Sequence, residues 1–369
     1  MNAERFRRLV DATGPFVSVY FDDSHDTQDA AAQLDARLRD VRKHLEDEAI
    51  DAGVIEAIDA AVRAKHPPVG RSGRAVIASA APGAPAIVLD EHLAVPPTTT
   101  IIWVSELPYF VPVVEHGMLH TSYLLVAVDH TGADIALRDG VSHAETAEGS
   151  GHPVHKAHKA ETVGYGGPQG RVDEAVRKNI REVADRVTHL FDDKKVGIVF
   201  ITGDARTELA AALPERVADK AVQLQGGGRA AGTDEAEVHQ EIGEEFAKRR
   251  LAGIHDAAQR FAAGHGTGLA VEGLADVTSA LRDGAVETLI IGELADATVV
   301  ADHDQLTLIG PDADTVSTLG GSPDRVLRAD EALPLLAVAT GATLVRNDEL
   351  LRPADGIGAV LRYPDMGQR

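Results

Sequence analysis

The chain contains no cysteine, which excludes a disulfide framework, thiolate metal sites and a cysteine nucleophile, and fits a reducing compartment. Aromatic residues are scarce, 4% of the chain with a single tryptophan, so its cores must be built from Ala, Val, Leu and Ile. Positive charge is in deficit as well. Lys and Arg number 36 against 58 Asp and Glu, and a net charge of -22 argues against broad attraction to nucleic acid, which rests on cations neutralising phosphates. Any RNA contact must be local. No apolar run approaches the ~18 residues of a membrane span, and the charged opening MNAERFRRLV does not read as a secretory signal. The expectation is a soluble, cytoplasmic protein, and no motif asks for a cofactor.

What is present is a chain of 369 residues, 44% hydrophobic, longer than a single core usually supports. The expected fold class is α/β (α+β) in three domains. In the first, residues 1–120, PFVSVYF alternates as a half-buried strand, helical spacing runs over 30–48 and 54–65, and three β-branched stretches follow, the last being TTIIWVSELPYFVPVVEH. A central α/β domain, 121–264, opens with the hairpin pair SYLLVAVDH and ADIALRDG, passes through a long basic loop at 150–171, and continues with a helix from Arg171 to Phe191. The strand VGIVFITGD and a long helix from Glu235 to Ala263 complete it. A C-terminal α/β sandwich, 265–369, contains the strand ETLIIGEL, a helix over 331–340 and the closing strands ATLVRN and GAVLRYP. GDAR and GELADA read as strand-to-helix turns, and neither is a P-loop.

The loop SGHPVHKAHKAETVGYGGPQGR carries His152, His155, Lys156, His158, Lys159 and Arg171 against one acid, Glu161. Such a cationic segment on an anionic protein suits phosphate contact. Its glycines, Gly164, Gly166, Gly167 and Gly170, let backbone approach a ligand closely. Three histidines at intervals of three could hold zinc, but no fourth ligand completes the set and Pro153 opposes a regular helix, so no metal site is assigned. Asp129, Asp134 and Asp139 suggest a metal-dependent nuclease, although the same acids suit turns. No Ser-His-Asp pattern surrounds His116, His120, His130 or His143.

The strand pair, the GYGGPQGR loop, the helix after it and VGIVFITGD together resemble the central domain of archaeo-eukaryotic peptide release factors and Pelota. The end of the chain, with Gly356, Ile357, Gly358, Leu361, Arg362 and Tyr363 after the helix EALPLLAVATGA, is similar to their third domain. The first domain shows no stop-codon-reading motif. The combination resembles the bacterial branch that includes Balon-type ribosome hibernation factors of actinobacteria. The resemblance implies a ribosome-binding factor that occupies the vacant A site, with loop 150–171 at the rRNA of the peptidyl-transferase centre and elongation factor Tu as a delivery partner. RNA-contacting residues would be His152, His155, Lys156, His158, Lys159, Tyr165, Gly166, Gly167, Pro168, Gln169 and Arg171. Release factors place the glutamine of Gly-Gly-Gln at the reacting ester. Here Pro168 separates Gly167 from Gln169 and has no N–H to donate, so the leading expectation is occupancy without catalysis. The alternative is peptidyl-tRNA hydrolysis through Gln169, and the third reading is a nuclease using Asp129 and Asp134.

Overall fold

A computed structural model describes residues 6–25, 27, 29–65, 71–83, 86–117, 122–138, 143–148, 168–229, 235–346 and 351–364. They form two compact units, one made of residues 1–119 with 246–369 and the other of 120–245.

The N-terminal part of the first unit contains α1 (Arg7–Asp11), β1 (Phe16–Asp22), α2 (Ala30–Asp47) and α3 (Ala52–Ala64). It continues through β2 (Gly73–Ser79), β3 (Ile87–Leu93), β4 (Ile101–Ser105) and α4 (Val111–His116). The strands form an antiparallel sheet in the order β3-β2-β1-β4. β1 is buried on both faces. Val17, Val19 and Phe21 pack with Leu38, Val41 and Leu45 of α2 and Ile55 and Ile58 of α3, while Phe16 and Tyr20 face a second cluster. Alternation in PFVSVYF therefore does not mark a solvent face, because Ser18 is buried too and its Oγ accepts from the Tyr109 N–H at 3.2 Å. The stretch expected as one long strand divides. Residues 101–105 are strand, but 111–116 form a helix whose Pro112 lies in the first turn, where a missing N–H costs nothing.

The second unit contains β5 (Tyr123–Val128), β6 (Gly132–Arg138), β7 (His143–Glu148), α5 (Pro168–Asp193) and β8 (Ile198–Thr202). α6 (Arg206–Ala212), α7 (Glu215–Ala218), β9 (Ala221–Gln223) and the first part of α8 (Glu235–Gly264) follow. The sheet order is β7-β6-β5-β8-β9, with antiparallel pairing from β7 to β5 and parallel pairing beyond it. Leu124, Val126 and Val128 alternate inward from β5 and meet Ile180, Val183, Ala184 and Val187 of α5. Gly203 turns the chain after β8. Its φ is +102°, and a Cβ there would lie 2.2 Å from the Val128 carbonyl oxygen.

The C-terminal part of the first unit contains β10 (Ala270–Glu272), α9 (Leu274–Arg282), β11 (Val286–Ile291), β12 (Thr298–Asp302) and β13 (Ile309–Gly310). After these come α10 (Ala313–Thr318), β14 (Pro323–Arg328), α11 (Ala329–Ala339), β15 (Thr343–Arg346) and β16 (Ile357–Leu361). Two sheets result, ordered β10-β16-β11-β15 and β13-β12-β14. GELADA links β11 to β12, so it is a connection between strands of different sheets and no helix follows it.

The two chain ends share one apolar cluster, in which Phe6, Leu9, Phe16, Tyr20 and Phe110 join Leu289, Ile291, Leu333 and Leu336. Polar contacts reinforce it. Trp103 Nε1–H donates to Glu331 Oε1 at 2.7 Å, and the Arg328 guanidinium stacks 5.0 Å from the Trp103 ring. Burial pushes the Glu331 carboxyl above its ordinary pKa, with the indole hydrogen bond acting in the opposite direction.

Candidate functional site

The candidate site lies where the second unit carries the segment between β7 and α5. The described residues that follow it form α5. Asn179, buried on α5, donates through Nδ2 to the His130 carbonyl at 3.1 Å, tying the helix to the β5–β6 turn. In that turn Asp129 Oδ1 accepts from the Thr131 N–H at 2.7 Å, the Thr131 hydroxyl at 2.6 Å and the Gly132 N–H at 2.9 Å.

Among the predicted residues, His152, His155, Lys156, His158, Lys159, Tyr165, Gly166 and Gly167 lie outside the described residues. Pro168, Gln169 and Arg171 lie in the first turn of α5. The helix thus starts three residues before the expected Arg171, and the reason is local. Proline at the first helical position has its φ preset, and its absent N–H is one the helix would not have used. Gln169 is consequently a helical residue following the Gly-Gly pair. The N–H groups of a first turn have no intrahelical acceptor, so Gln169, Gly170 and Arg171 keep backbone donors at this end of the helix.

Three further cations belong to this region. Arg177, Lys178 and Arg181 are exposed on α5, opposite the apolar stripe of Ile180, Val183, Ala184 and Val187. Their spacing marks a polar helix face in the sequence. Lys178 is 3.9 Å from Glu182, one turn on, a loose exposed pair of small energetic weight.

The carboxylates suited by type to metal chemistry have another occupation. Arg229 reaches both, with Nη1 3.0 Å from Asp129 Oδ1 and Nε 3.3 Å from Asp134 Oδ2. Burial alone would raise the Asp129 pKa, but the hydrogen bonds from Thr131, Gly132 and Arg229 outweigh it and hold the carboxyl below its ordinary value. Asp139 and His120 lie outside the described residues. His130 contributes its carbonyl to the α5 contact, and His116 ends α4 within 3.6 Å of Glu115 in the other unit.

The closing motif is structural. At Gly356 φ is +74°, and a Cβ would lie 2.1 Å from the Glu293 carbonyl oxygen; at Gly358 it would lie 2.6 Å from the Phe261 ring. Arg362 donates to the Gly284 carbonyl at 2.5 Å, after α9, and to those of Thr340 and Gly341 at 3.1 and 3.2 Å, after α11. One guanidinium therefore satisfies acceptors at the ends of two helices. Tyr363 Oη–H donates to the Asp283 carbonyl at 3.4 Å.

The family model described as bacterial archaeo-eukaryotic release factor family 2 matches residues 122–267. Uncharacterized protein Rv2629 of Mycobacterium tuberculosis is 48% identical over 368 residues, covering 98% of this chain and 97% of its own length. Among solved structures, the archaeal translation termination factor aRF1 aligns over 98% of this chain and 97% of its own, at 14% identity with a TM-score of 0.23. Archaeoglobus fulgidus Pelota aligns over 79% of this chain and 80% of its own, at 14% identity with a TM-score of 0.36.

Proposed function

Because the chain belongs to bacterial archaeo-eukaryotic release factor family 2, we propose that it is a cytoplasmic, ribosome-binding translation factor that occupies the vacant A site and protects idle ribosomes. On this reading loop 150–171 enters the peptidyl-transferase centre. His152, His155, Lys156, His158, Lys159, Tyr165, Gly166, Gly167, Pro168, Gln169 and Arg171 contact rRNA there, with exposed Arg177, Lys178 and Arg181 behind them. Elongation factor Tu is the proposed delivery partner. Binding involves no hydrolysis.

The carrying observation is Pro168 at the first position of α5. A glutamine that positions water at an ester carbon must sit at the tip of an adaptable turn, with the backbone donor beside it aimed at the developing oxyanion. Gln169 belongs instead to the first helical turn, and the residue after the Gly-Gly pair has no N–H. The supported function is therefore occupancy of the site by a cationic segment.

The hydrolytic reading draws on the same turn, because the N–H groups of Gln169, Gly170 and Arg171 have no intrahelical acceptor. The two readings part in a single assay. With ribosomes carrying peptidyl-tRNA, the protein is expected to cosediment at moderate salt and leave the ester intact. Charge reversal of both Lys156 and Lys159 should weaken the association. Rapid peptide release that disappears in Gln169→Ala would establish the hydrolytic reading, and failure to cosediment with vacant ribosomes would remove the ribosomal one.

A further inference from the structure

A cleft of about 240 Å³ opens in the first unit between the C-terminal half of α8 and the paired strands β11 and β15. It is far in sequence from the basic segment 150–171, and its lining mixes polar groups with apolar Val114, Ile254, Leu344 and Val345. α8 presents Arg250, Gly253, Ala257 and Arg260, which at intervals of three and four residues share one face of the helix. The strands present Thr288 and Thr343, which are register partners, and beyond them Arg346. Thr288 is 5% exposed.

The arginines differ in how they are held. Arg260 Nη2 lies 2.5 Å from Glu287 Oε2, and Arg346 Nε lies 3.7 Å from Glu115 Oε2 while its Nη1 donates to the Gly292 carbonyl. These contacts fix two guanidinium groups at the cleft. Arg250 has neither a hydrogen bond nor an ion pair among the described residues. The acids on the lining are Glu287, engaged by Arg260, and Asp256, which is exposed. Three cations against two acids is an unusual balance on a chain of net charge -22.

We propose that this cleft binds the phosphodiester backbone of RNA, with Arg250 and the Thr288 and Thr343 hydroxyls donating to phosphate oxygens. Arg250 and Arg260 are ten residues apart, about 15 Å along the helix, a separation that suits two phosphates of one polynucleotide strand. The cleft is also smaller than the roughly 300–1,000 Å³ of pockets that enclose small molecules, which favours a backbone lying across it over an engulfed metabolite. Gly253 is the structural opening. A Cβ built there meets nothing within 4 Å, so the absent side chain leaves the floor between the arginines accessible.

The inference rests on the ribosome-binding reading for the source of the RNA, but its test does not. Gly253→Leu fills the cleft without changing charge and replaces glycine in a helix with a better helix former, so its melting temperature should match or exceed the wild type's. Arg250→Ala removes the cleft cation that has no partner among the described residues, and Leu251→Ala, at an exposed neighbour, serves as the control. Anisotropy with a labelled single-stranded twelve-nucleotide RNA and cosedimentation with vacant ribosomes give two readouts. Gly253→Leu and Arg250→Ala should each weaken binding about tenfold or more, with Leu251→Ala unchanged. Arg250→Ala should also reduce the salt dependence of log K by about one phosphate contact. Unaltered RNA and ribosome binding in both variants defeats the cleft while leaving the ribosomal function standing. Loss of ribosome association by the wild type, with its RNA binding still dependent on Gly253 and Arg250, defeats the function and keeps the cleft. Binding of free adenosine monophosphate with no binding of the RNA would overturn the backbone assignment.

Discussion

Asp23 is 1% exposed, and neither of its carboxylate oxygens has a hydrogen-bond partner among the described residues. Its neighbours are charged or titratable: Arg74 Nη1 and His92 Nδ1 each lie 3.8 Å from Oδ2, and His25 Nδ1 lies 4.0 Å from Oδ1. Arg74 is itself fully buried, donating from Nε to Asp90 Oδ1 at 2.6 Å and from Nη2 to the Ala61 carbonyl at 3.3 Å. Burial raises the Asp23 pKa to about 6 despite Arg74, and burial together with Arg74 lowers that of His92 to about 4. The two act oppositely. A carboxyl raised in the folded state destabilises it as pH rises from about 4 to 6, and a lowered histidine destabilises it as pH falls from about 6.5 to 4. Asp23→Asn removes the first contribution and keeps the second. It should match the wild type near pH 4 and exceed it above pH 6 by about 3 kcal/mol at most, since each tenfold change in proton affinity is worth ~1.4 kcal/mol. Denaturant unfolding at both pH values measures this, and a difference independent of pH would refute it.

At the scale of elements, the most specific part of the sequence signature proves to be packing. Gly358 on β16 faces the Phe261 ring of α8, so the strand and helix approach each other only because a side chain is missing. Gly358→Ala should destabilise by about 1–3 kcal/mol through overpacking, seen as a lower denaturation midpoint with an unchanged slope. Stability equal to the wild type's would mean that Phe261 moves aside freely. Periodicity located most of these elements, including β5, β6, α8 and α11, because each has one apolar face. It failed at α4, where VPVVEH has strand composition but a proline suited to a helical first turn. It also passed over β7, whose HAETAE has no apolar alternation and pairs with β6 through its backbone.

At the scale of the molecule, the second unit has its own apolar cluster, from Leu124 to Val217, whereas the N-terminal sheet buries one face against residues from the other end of the chain. Residues 120–245 expressed alone should therefore unfold cooperatively, as judged by circular dichroism. Residues 1–119 alone should not, because Phe6, Leu9 and Phe110 would lose Leu333 and Leu336. A cooperative transition for 1–119 would show that α2 and α3 supply enough core by themselves.

Sequence alone determined the composition of the cores, the order of most helices and strands, the basic segment and the family resemblance, because each is written in neighbouring residues or in a local period. It also located the interruption of Gly-Gly-Gln by Pro168. Only the tertiary structure decided that Pro168 opens α5, that Arg229 bridges Asp129 and Asp134, and that Arg362 holds two helix ends. The cleft at Arg250, Thr288 and Thr343 is likewise tertiary, since its walls come from segments tens of residues apart in sequence. Such groups converge through burial and strand pairing, and no spacing along the chain encodes where those bring them.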